Sequence, residues 1–265
     1  MSVRRQKIAL ALGSGGFRGF AHIGVIQVLQ KYDIPISSIS GSSIGALVAA
    51  YYALHGEVDS LRDKMLNSKG RLFRLFDLGF KGGLVSGDKY EKFIEQLLGQ
   101  HTFAETIIPL RIVATELSSG QSVVFSEGGL AMAVRASSSV PIVFEPVKHQ
   151  EQRFVDGALS DPVPVKALKD LGEAHVVAVN LYHKNEFIEK KFTFAKVALR
   201  SIRIAFYNLS QNSMRAATVR INPDSSHFTQ RLNLSRYLSN KSAEEIIKVG
   251  RQETEKNIED IRKLL

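Results

Sequence analysis

Short apolar runs alternate with segments of helical periodicity along the first part of the chain. Residues 7–12 form an apolar run that ends at glycine, which is typical of a buried strand. A glycine-rich loop at 13–19 follows, and apolar residues then recur at helical spacing to about Lys31. A second apolar segment, 34–39, leads through a glycine–serine turn into a helical pattern that ends near Leu54. This order predicts parallel strands joined by right-handed crossovers, and therefore an α/β fold.

The same patterns divide the rest of the chain into further elements. Strands are predicted at residues 111–116, 122–125, 153–155, 174–181 and 218–221. Helices are predicted at residues 57–67, 86–98, 130–138, 165–171, 190–217 and 242–265. Ser242 and Glu245 have the spacing of a capping box, so we expect Ser242 to cap the last helix. Because the chain has no repeat, low-complexity segment or clear linker, we predict a single domain over residues 1–265.

Composition narrows the class of protein. The 265 residues are 44% hydrophobic and 23% charged, which is ordinary for a globular domain with a sizeable core. The absence of cysteine excludes disulfides, thiolate chemistry and cysteine zinc sites, and it fits a reducing compartment. No apolar run approaches the roughly 20 residues that a membrane-spanning helix needs, and the first run is too short for a signal peptide. We therefore expect a soluble, cytoplasmic protein.

The net charge of +9 points to a polyanionic partner or to a solubilising surface. Signatures of helix-turn-helix, zinc-finger and aromatic RNA-binding modules are missing, so anionic lipid is favoured and nucleic acid is not expected. Two stretches, residues 71–81 and 190–215, interleave bulky apolar residues with cations. Such a pattern is typical of helices that lie at a membrane interface. It is equally typical of helices that pack on a sheet and expose a basic face to solvent.

The glycine–serine turn at residues 41–45 reads G-x-S-x-G. A strand before it and a helix after it are the context of a nucleophile elbow, in which glycines permit a sharp turn and the serine is exposed. Only Ser43 has a glycine two residues away on each side, so the spacing selects Ser43 over Ser42. The motif alone is weak, because glycine–serine turns are common.

The glycine loop at residues 13–19 has two candidate roles. As a dinucleotide-binding loop it fails, because Arg18 occupies the third glycine position and the second strand ends without an acidic residue. As an oxyanion hole it fits, because glycine backbone N–H groups can converge on a substrate oxygen without side chains in the way. A plain helix-start loop is the remaining alternative.

A serine hydroxyl needs a base to act as a nucleophile, and the chain offers seven histidines. His175 opens an apolar strand, His183 and His227 lie in polar stretches, and His22 lies in the first predicted helix. None has the small neighbours that would expose it beside the elbow, although a histidine base stays an alternative.

Asp156 is the other candidate base. It ends a short strand, and the small residues Gly157 and Ala158 that follow let another backbone come close. Taken alone, an Asp-Gly pair is more typical of a turn.

Three motifs occur in fixed order: residues 15–19 (Gly-Gly-Phe-Arg-Gly), residues 41–45 and residues 156–158 (Asp-Gly-Ala). A serine-rich block that ends at Pro141 lies between the last two. With this set the chain resembles the patatin-like phospholipase family in its compact bacterial form, over a core of about residues 7–223, with the C-terminal helix at about 242–265 outside the motifs. The resemblance implies a three-layer α/β fold: a mostly parallel central sheet flanked by helices, with a nucleophile elbow after the second strand.

The resemblance also implies a Ser–Asp dyad that works without histidine, metal or cofactor. Ser43 would be the nucleophile and Asp156 the base. The oxyanion hole would be formed by Gly15, Gly16, Phe17 and Ile44. The residues that support these motifs would be Gly13, Arg18 at the family's basic position, Gly19, Gly41, Gly45, Pro141, Gly157 and Ala158.

The implied activity is that of a serine acyl hydrolase of the phospholipase A or lysophospholipase type, which cleaves fatty-acyl esters of lipids through an acyl-enzyme. One alternative is a general serine esterase or thioesterase with a histidine base. Another is a non-catalytic lipid-binding or regulatory member of the family. The expected partners are a lipid or fatty-acyl ester and, peripherally, the anionic inner face of the membrane; no oligomeric state is indicated.

Overall fold

One sheet forms the centre of the fold, and it has eight strands in the part of the chain that the computed structural model describes, residues 6–67, 87–141, 143–187, 194–226, 228 and 239–265. In chain order the strands are β1 (Ile8–Leu12), β2 (Ile36–Ser42), β3 (Leu110–Glu116), β4 (Ser122–Phe125), β5 (Val147–His149), β6 (Gln152–Val155), β7 (Val176–Val179) and β8 (Val219–Ile221).

Five of these eight strands run parallel, in the spatial order β3-β2-β1-β7-β8. Beyond β3 the sheet is antiparallel, because β4 and β6 both pair with β3, and β5 pairs with β6. The predicted, mostly parallel sheet is confirmed, whereas the three-residue strand β5 was not predicted because only one of its residues, Val147, is apolar. The segments that follow β1, β2 and β7 meet at one edge of the sheet, where α/β proteins build their sites.

Helices flank the sheet. In chain order, those within the described residues are α1 (Phe20–Lys31), α2 (Ile44–His55), α3 (Asp59–Asn67), α4 (Asp88–Leu98), α5 (Leu130–Ser137), α6 (Val165–Lys169), α7 (Phe194–Ser213), α8 (Asn240–Lys256) and α9 (Ile258–Arg262). Two 3-10 helices, Gly16–Gly19 and Gly157–Leu159, follow β1 and β6. None of the described helices is long and apolar enough to cross a membrane. The apolar and cationic stretch predicted at 71–81 lies outside the described residues.

Strand β1 shows how the core lies on both faces of the sheet. Its alternate residues Ile8, Leu10 and Leu12 belong to the large apolar cluster that includes residues of α1 and α2. Ala9 and Ala11 face the opposite way, into a second cluster with residues of α6 and β7. A parallel strand that is covered on both faces reads as a continuous apolar run. The predicted three-layer arrangement is therefore confirmed.

The C-terminal helix α8 packs closely on α1. A Cβ atom at Gly24 of α1 would lie 2.1 Å from the backbone oxygen of Ile247. A Cβ atom at Gly250 of α8 would lie 2.1 Å from the backbone oxygen of Ala21. Glycines at these two positions let the two helix backbones approach, so α8 covers the outer side of α1.

The prediction that Ser242 caps this last helix is wrong. Helix α8 begins at Asn240, and Ser239 is its N-cap, with an extended backbone and a side-chain oxygen that accepts from the Ser242 N–H at 3.2 Å. Ser242 is thus the third helical residue, and Glu245 lies beyond the position that a capping box requires. The helical segment is also interrupted at Asn257, between α8 and α9.

Candidate functional site

Ser43 lies at the sharp turn between β2 and α2. Its backbone has φ 56° and ψ −123°, a combination that costs a non-glycine residue about 1–3 kcal/mol. A Cβ atom at Gly41 would lie 2.4 Å from the Gly45 oxygen, and one at Gly45 would lie 2.2 Å from the Leu12 oxygen. The predicted elbow after the second strand, with its requirement for two glycines, is therefore confirmed.

The Ser43 hydroxyl donates a hydrogen bond of 2.6 Å to Oδ2 of Asp156, a residue 113 positions away in the sequence. Both side chains are buried. The second carboxylate oxygen, Oδ1, accepts from the backbone N–H of Ala158 at 2.8 Å. The backbone of Asp156 is fixed as well, because its N–H donates to the Ser139 oxygen and its carbonyl accepts from Thr115 Oγ1.

Burial changes the acid–base behaviour of this carboxyl group. Loss of contact with water raises the pKa of Asp156 from 3.8 to about 6, against the opposing effect of the hydrogen bonds from Ser43 and Ala158. A carboxylate with this pKa is a stronger base than an ordinary aspartate, and it is still mostly ionised at neutral pH. Its basicity approaches that of an ordinary histidine, whose pKa is about 6.5.

Ser137 is a contact of the elbow that sequence reasoning did not single out. Its hydroxyl accepts from the Ser43 backbone N–H at 2.8 Å and donates to the Val113 carbonyl at 2.6 Å. It thereby ties the elbow to β3 and to the end of α5. The serine-rich block that ends at Pro141 was the available signal, but the block alone does not say which serine faces the elbow.

The Asp-Gly pair is more than a surface turn. A Cβ atom at Gly157 would lie 2.3 Å from the Val113 oxygen and 2.6 Å from Ser42 Oγ. Only glycine therefore fits where the chain passes β3 and the elbow. Ala158 supplies the N–H that holds the Asp156 carboxylate.

Side chains hold the carbonyl groups of the glycine loop. The Gly13 carbonyl accepts from His22 Nε2 at 2.7 Å. The Gly15 carbonyl accepts from Arg18 Nε at 3.1 Å and from the Arg18 backbone N–H at 3.3 Å. In a trans peptide the carbonyl and the following N–H point to opposite sides, so the Gly16 N–H points away from Arg18.

Three backbone N–H groups at this edge have no acceptor within the described residues: those of Gly15, Gly16 and Ile44. The loop touches the elbow, because a Cβ atom at Gly19 would lie 2.2 Å from Ile44 Cγ1. Phe17 is buried, and its ring packs edge-on against Phe20 at 5.1 Å. Glycine-loop and elbow residues are therefore neighbours, with N–H donors available for an anionic oxygen.

The histidines lie elsewhere or serve another purpose. His22 is fully buried, and burial lowers its pKa to about 4, so it is neutral and donates from Nε2 to the Gly13 carbonyl. His183 Nε2 lies 3.1 Å from the Asn222 carbonyl, and the backbone oxygen of His175 accepts from β1. None of these three is hydrogen-bonded to Ser43, and His227 lies outside the described residues. Across the described ranges, no three His, Asp or Glu side chains are grouped as metal ligands.

A family model and several curated proteins match this chain. A family model described as "Patatin-like phospholipase" matches residues 10–169. An uncharacterised NTE family protein of Mycobacterium tuberculosis is 36% identical over 178 residues, which make up 66% of this chain and 49% of the relative. A lysophospholipase of Pyricularia oryzae is 28% identical over 181 residues, 66% of this chain and 12% of that protein. The chain thus spans half or less of the length of these relatives.

Among solved structures, VipD from Legionella pneumophila has a TM-score of 0.57 to this chain at 16% sequence identity. The match covers 96% of this chain and 67% of VipD. At this level of identity the likeness shows a shared fold.

Proposed function

The chain belongs to the patatin-like phospholipase family, and we therefore propose that it is a serine acyl hydrolase that cleaves fatty-acyl esters of lipids through a Ser–Asp dyad. The observation that carries this proposal is the buried hydrogen bond of 2.6 Å from Ser43 Oγ to Asp156 Oδ2. A strained serine that donates to a buried carboxylate of raised pKa has the geometry of an activated nucleophile. We propose that a single domain carries the whole site.

The proposed cycle begins when Asp156 Oδ2 takes the hydroxyl proton and Ser43 Oγ bonds to the ester carbonyl carbon. The negative charge on the carbonyl oxygen is stabilised by backbone N–H groups of Gly15, Gly16, Phe17 and Ile44. Asp156 then gives its proton to the leaving alcohol as the C–O bond breaks. Water then loses a proton to Asp156 and attacks the acyl carbonyl carbon. The bond from Ser43 Oγ to that carbon breaks, Asp156 returns the proton to Ser43 Oγ, and the fatty acid leaves.

Burial explains how an aspartate can replace the usual histidine. The pKa of Asp156, raised to about 6 by burial, lies close to the ordinary histidine value. General bases work best when their pKa is near the working pH. The alternative is an esterase or thioesterase in which a histidine is the base. It gains no support from His22, His175 or His183, because none of them is hydrogen-bonded to Ser43.

We propose a single-chain or double-chain phospholipid as the substrate class. The Pyricularia oryzae relative is named a lysophospholipase. In this chain Leu159, whose backbone N–H donates to the Asp156 carbonyl, has 40% of its surface exposed, so an exposed apolar residue follows the dyad aspartate by one helical turn.

The test is a panel of esters incubated with the purified protein. It contains a lysophospholipid, diacyl phospholipid vesicles, a soluble short-chain nitrophenyl ester and an acyl thioester. We expect fatty-acid release from the lysophospholipid, and its loss after pretreatment with a fluorophosphonate. A strong preference for the thioester would instead indicate a thioesterase. A folded protein that neither hydrolyses any member nor reacts with the fluorophosphonate would be a non-catalytic binding protein.

We further propose that α7 lies on the surface of an anionic membrane. Val197 and Ile204, seven residues apart and therefore on one side of the helix, are 46% and 37% exposed. Arg200 and Arg203, both partly buried, lie beside this strip. An apolar strip bordered by cations, on a chain of net charge +9, suits the boundary between headgroups and acyl chains.

Replacing Val197 and Ile204 together with aspartate is expected to lower the partitioning onto anionic vesicles about tenfold or more, since each unfavourable charge near the surface costs about 1 kcal/mol. Flotation measures this partitioning. The matched control replaces Ile107 and Leu171 with aspartate. Both are also exposed, but they lie before β3 and β7, at the edge of the sheet opposite the candidate site. Hydrolysis of a soluble ester should be unchanged in both. Equal flotation of the two double variants would refute the role of α7.

A further inference from the structure

Tyr182 joins the end of β7 to the glycine loop. Because β7 pairs with β1, its carboxyl end adjoins the loop that follows β1. The Tyr182 hydroxyl lies 3.0 Å from Ser14 Oγ, in a buried hydrogen bond. The guanidinium carbon of Arg18 lies 4.9 Å from the centre of the Tyr182 ring. One side chain thus contacts the loop at two points.

Tyr182 is itself held by residues outside the loop. The Asn180 side chain clasps its backbone, because Oδ1 accepts from the Tyr182 N–H and Nδ2 donates to the Tyr182 carbonyl, each at 3.1 Å. Asn180 is fully buried at the end of β7. The ring also packs against Phe206 of α7, with ring centres 5.7 Å apart. The tyrosine can therefore impose its position on the loop.

The two contacted loop residues control the direction of the loop peptides. The Ser14 N–H donates to the Pro162 carbonyl at 2.8 Å. Arg18 holds the Gly15 carbonyl with Nε and the Leu181 carbonyl with Nη1. The Gly15 carbonyl and the Gly16 N–H belong to one planar peptide, so holding the first directs the second.

We infer that Tyr182 is a positioning residue, which keeps the glycine loop in the conformation that presents the N–H groups of Gly15 and Gly16 to the ester oxygen. This inference rests on the proposed function. Tyr182 acts through Ser14 and Arg18 and contacts none of the reacting atoms. The hydroxyl fixes Ser14, and the ring face fixes the cation that holds the Gly15 carbonyl.

Two substitutions separate these contributions. Tyr182→Phe removes the hydrogen bond to Ser14 and keeps the ring, whereas Tyr182→Leu removes both. Loss of one oxyanion donor costs about 10²–10³ in kcat, so a misaligned donor is expected to cost about tenfold in Tyr182→Phe and about 100-fold in Tyr182→Leu. The substrate is a soluble ester, which makes the result independent of membrane binding. Tyr51→Phe is the matched control, a buried tyrosine whose hydroxyl contacts Lys64 instead.

The readouts distinguish positioning from mere support of the fold. For a positioning residue, kcat falls even at a temperature where each variant is fully folded, while KM and the pH at which activity rises stay unchanged. Ser14→Ala should lower kcat as Tyr182→Phe does, and the double variant should be no worse than either, because both remove one hydrogen bond. Wild-type kcat in both Tyr182 variants, or a fall in kcat that matches a fall in the folded fraction, would overturn the inference. An inactive wild type would instead refute the proposed function.

Discussion

Replacing Asp156 with asparagine is expected to lower kcat by about 10³-fold or more and, at the same time, to stabilise the fold. General acid–base catalysis contributes about 10²–10⁴ in rate, and an amide cannot accept the Ser43 proton. Asparagine keeps the shape of the side chain, because its Oδ1 can accept from Ala158 and its Nδ2 can donate to Ser43 Oγ. Hydrolysis of a soluble ester by both proteins measures the first effect.

The gain in stability follows from the sign of the pKa shift. The pKa of Asp156 is about 6 in the folded protein, against an ordinary value of 3.8. Between these values the folded state binds more protons than the unfolded state, so the free energy of unfolding decreases as pH rises from about 4 to about 6. Above pH 6 the buried charge costs about 3 kcal/mol, at about 1.4 kcal/mol for each unit of pKa. Asp156→Asn removes this cost, and denaturant unfolding at several pH values measures it.

The same pKa sets the pH dependence of activity. The wild-type kcat/KM should rise with pH to a plateau above about pH 6, as Asp156 becomes ionised. Asp161→Asn is the matched control, because burial also raises the pKa of Asp161 to about 6, while its carboxyl group is not hydrogen-bonded to Ser43. Activity and its pH profile should survive in Asp161→Asn. Near-normal turnover in Asp156→Asn would remove this carboxylate from the mechanism.

The local half of the site was predictable because its determinants are close together in the sequence. Gly41 and Gly45 flank the elbow, and the contacts that a Cβ atom would make there lie within the turn or on the adjacent β1. The order of strand, loop, helix, strand and turn then brings the glycine loop and Ser43 to one edge of a parallel sheet. Short-range sterics and the right-handed crossover are sufficient for that much.

The other half depends on contacts between distant parts of the chain. Asp156 reaches Ser43 because β6 pairs antiparallel with β3, and no local pattern specifies that pairing. Its role was therefore inferred from a family resemblance. Ser137 was missed for the same reason, since it contacts both β3 and the elbow. The error at the last helix was different, because two serines three residues apart, Ser239 and Ser242, both precede a helical pattern.

Replacing Ser43 with alanine or glycine is expected to abolish both hydrolysis and fluorophosphonate labelling. Removal of a catalytic serine typically lowers kcat by about 10⁶-fold. The two variants should nevertheless differ in stability. Alanine keeps the Cβ atom at φ 56° and ψ −123°, where the strain is about 1–3 kcal/mol. Glycine relieves it and loses about 0.5–1 kcal/mol in backbone entropy, so Ser43→Gly should be more stable than Ser43→Ala, by up to about 2.5 kcal/mol.

The neighbouring serine, Ser42, provides a control at which the stability difference between glycine and alanine should have the opposite sign. Ser42 ends β2 and has no left-handed backbone, and its buried hydroxyl has no hydrogen-bond partner within the described residues. Glycine at position 42 should therefore be less stable than alanine by about 0.5–1 kcal/mol, and Ser42→Ala should still be labelled. Denaturant unfolding of the four variants, with labelling of each, tests both statements. Labelling that persists in Ser43→Ala would show that Ser43 is not the nucleophile. The same order of stability at both positions would show that position 43 is not strained. If glycine is more stable than alanine at position 43 and less stable at position 42, and labelling is lost only at position 43, the strain and the reactive hydroxyl belong to the same residue.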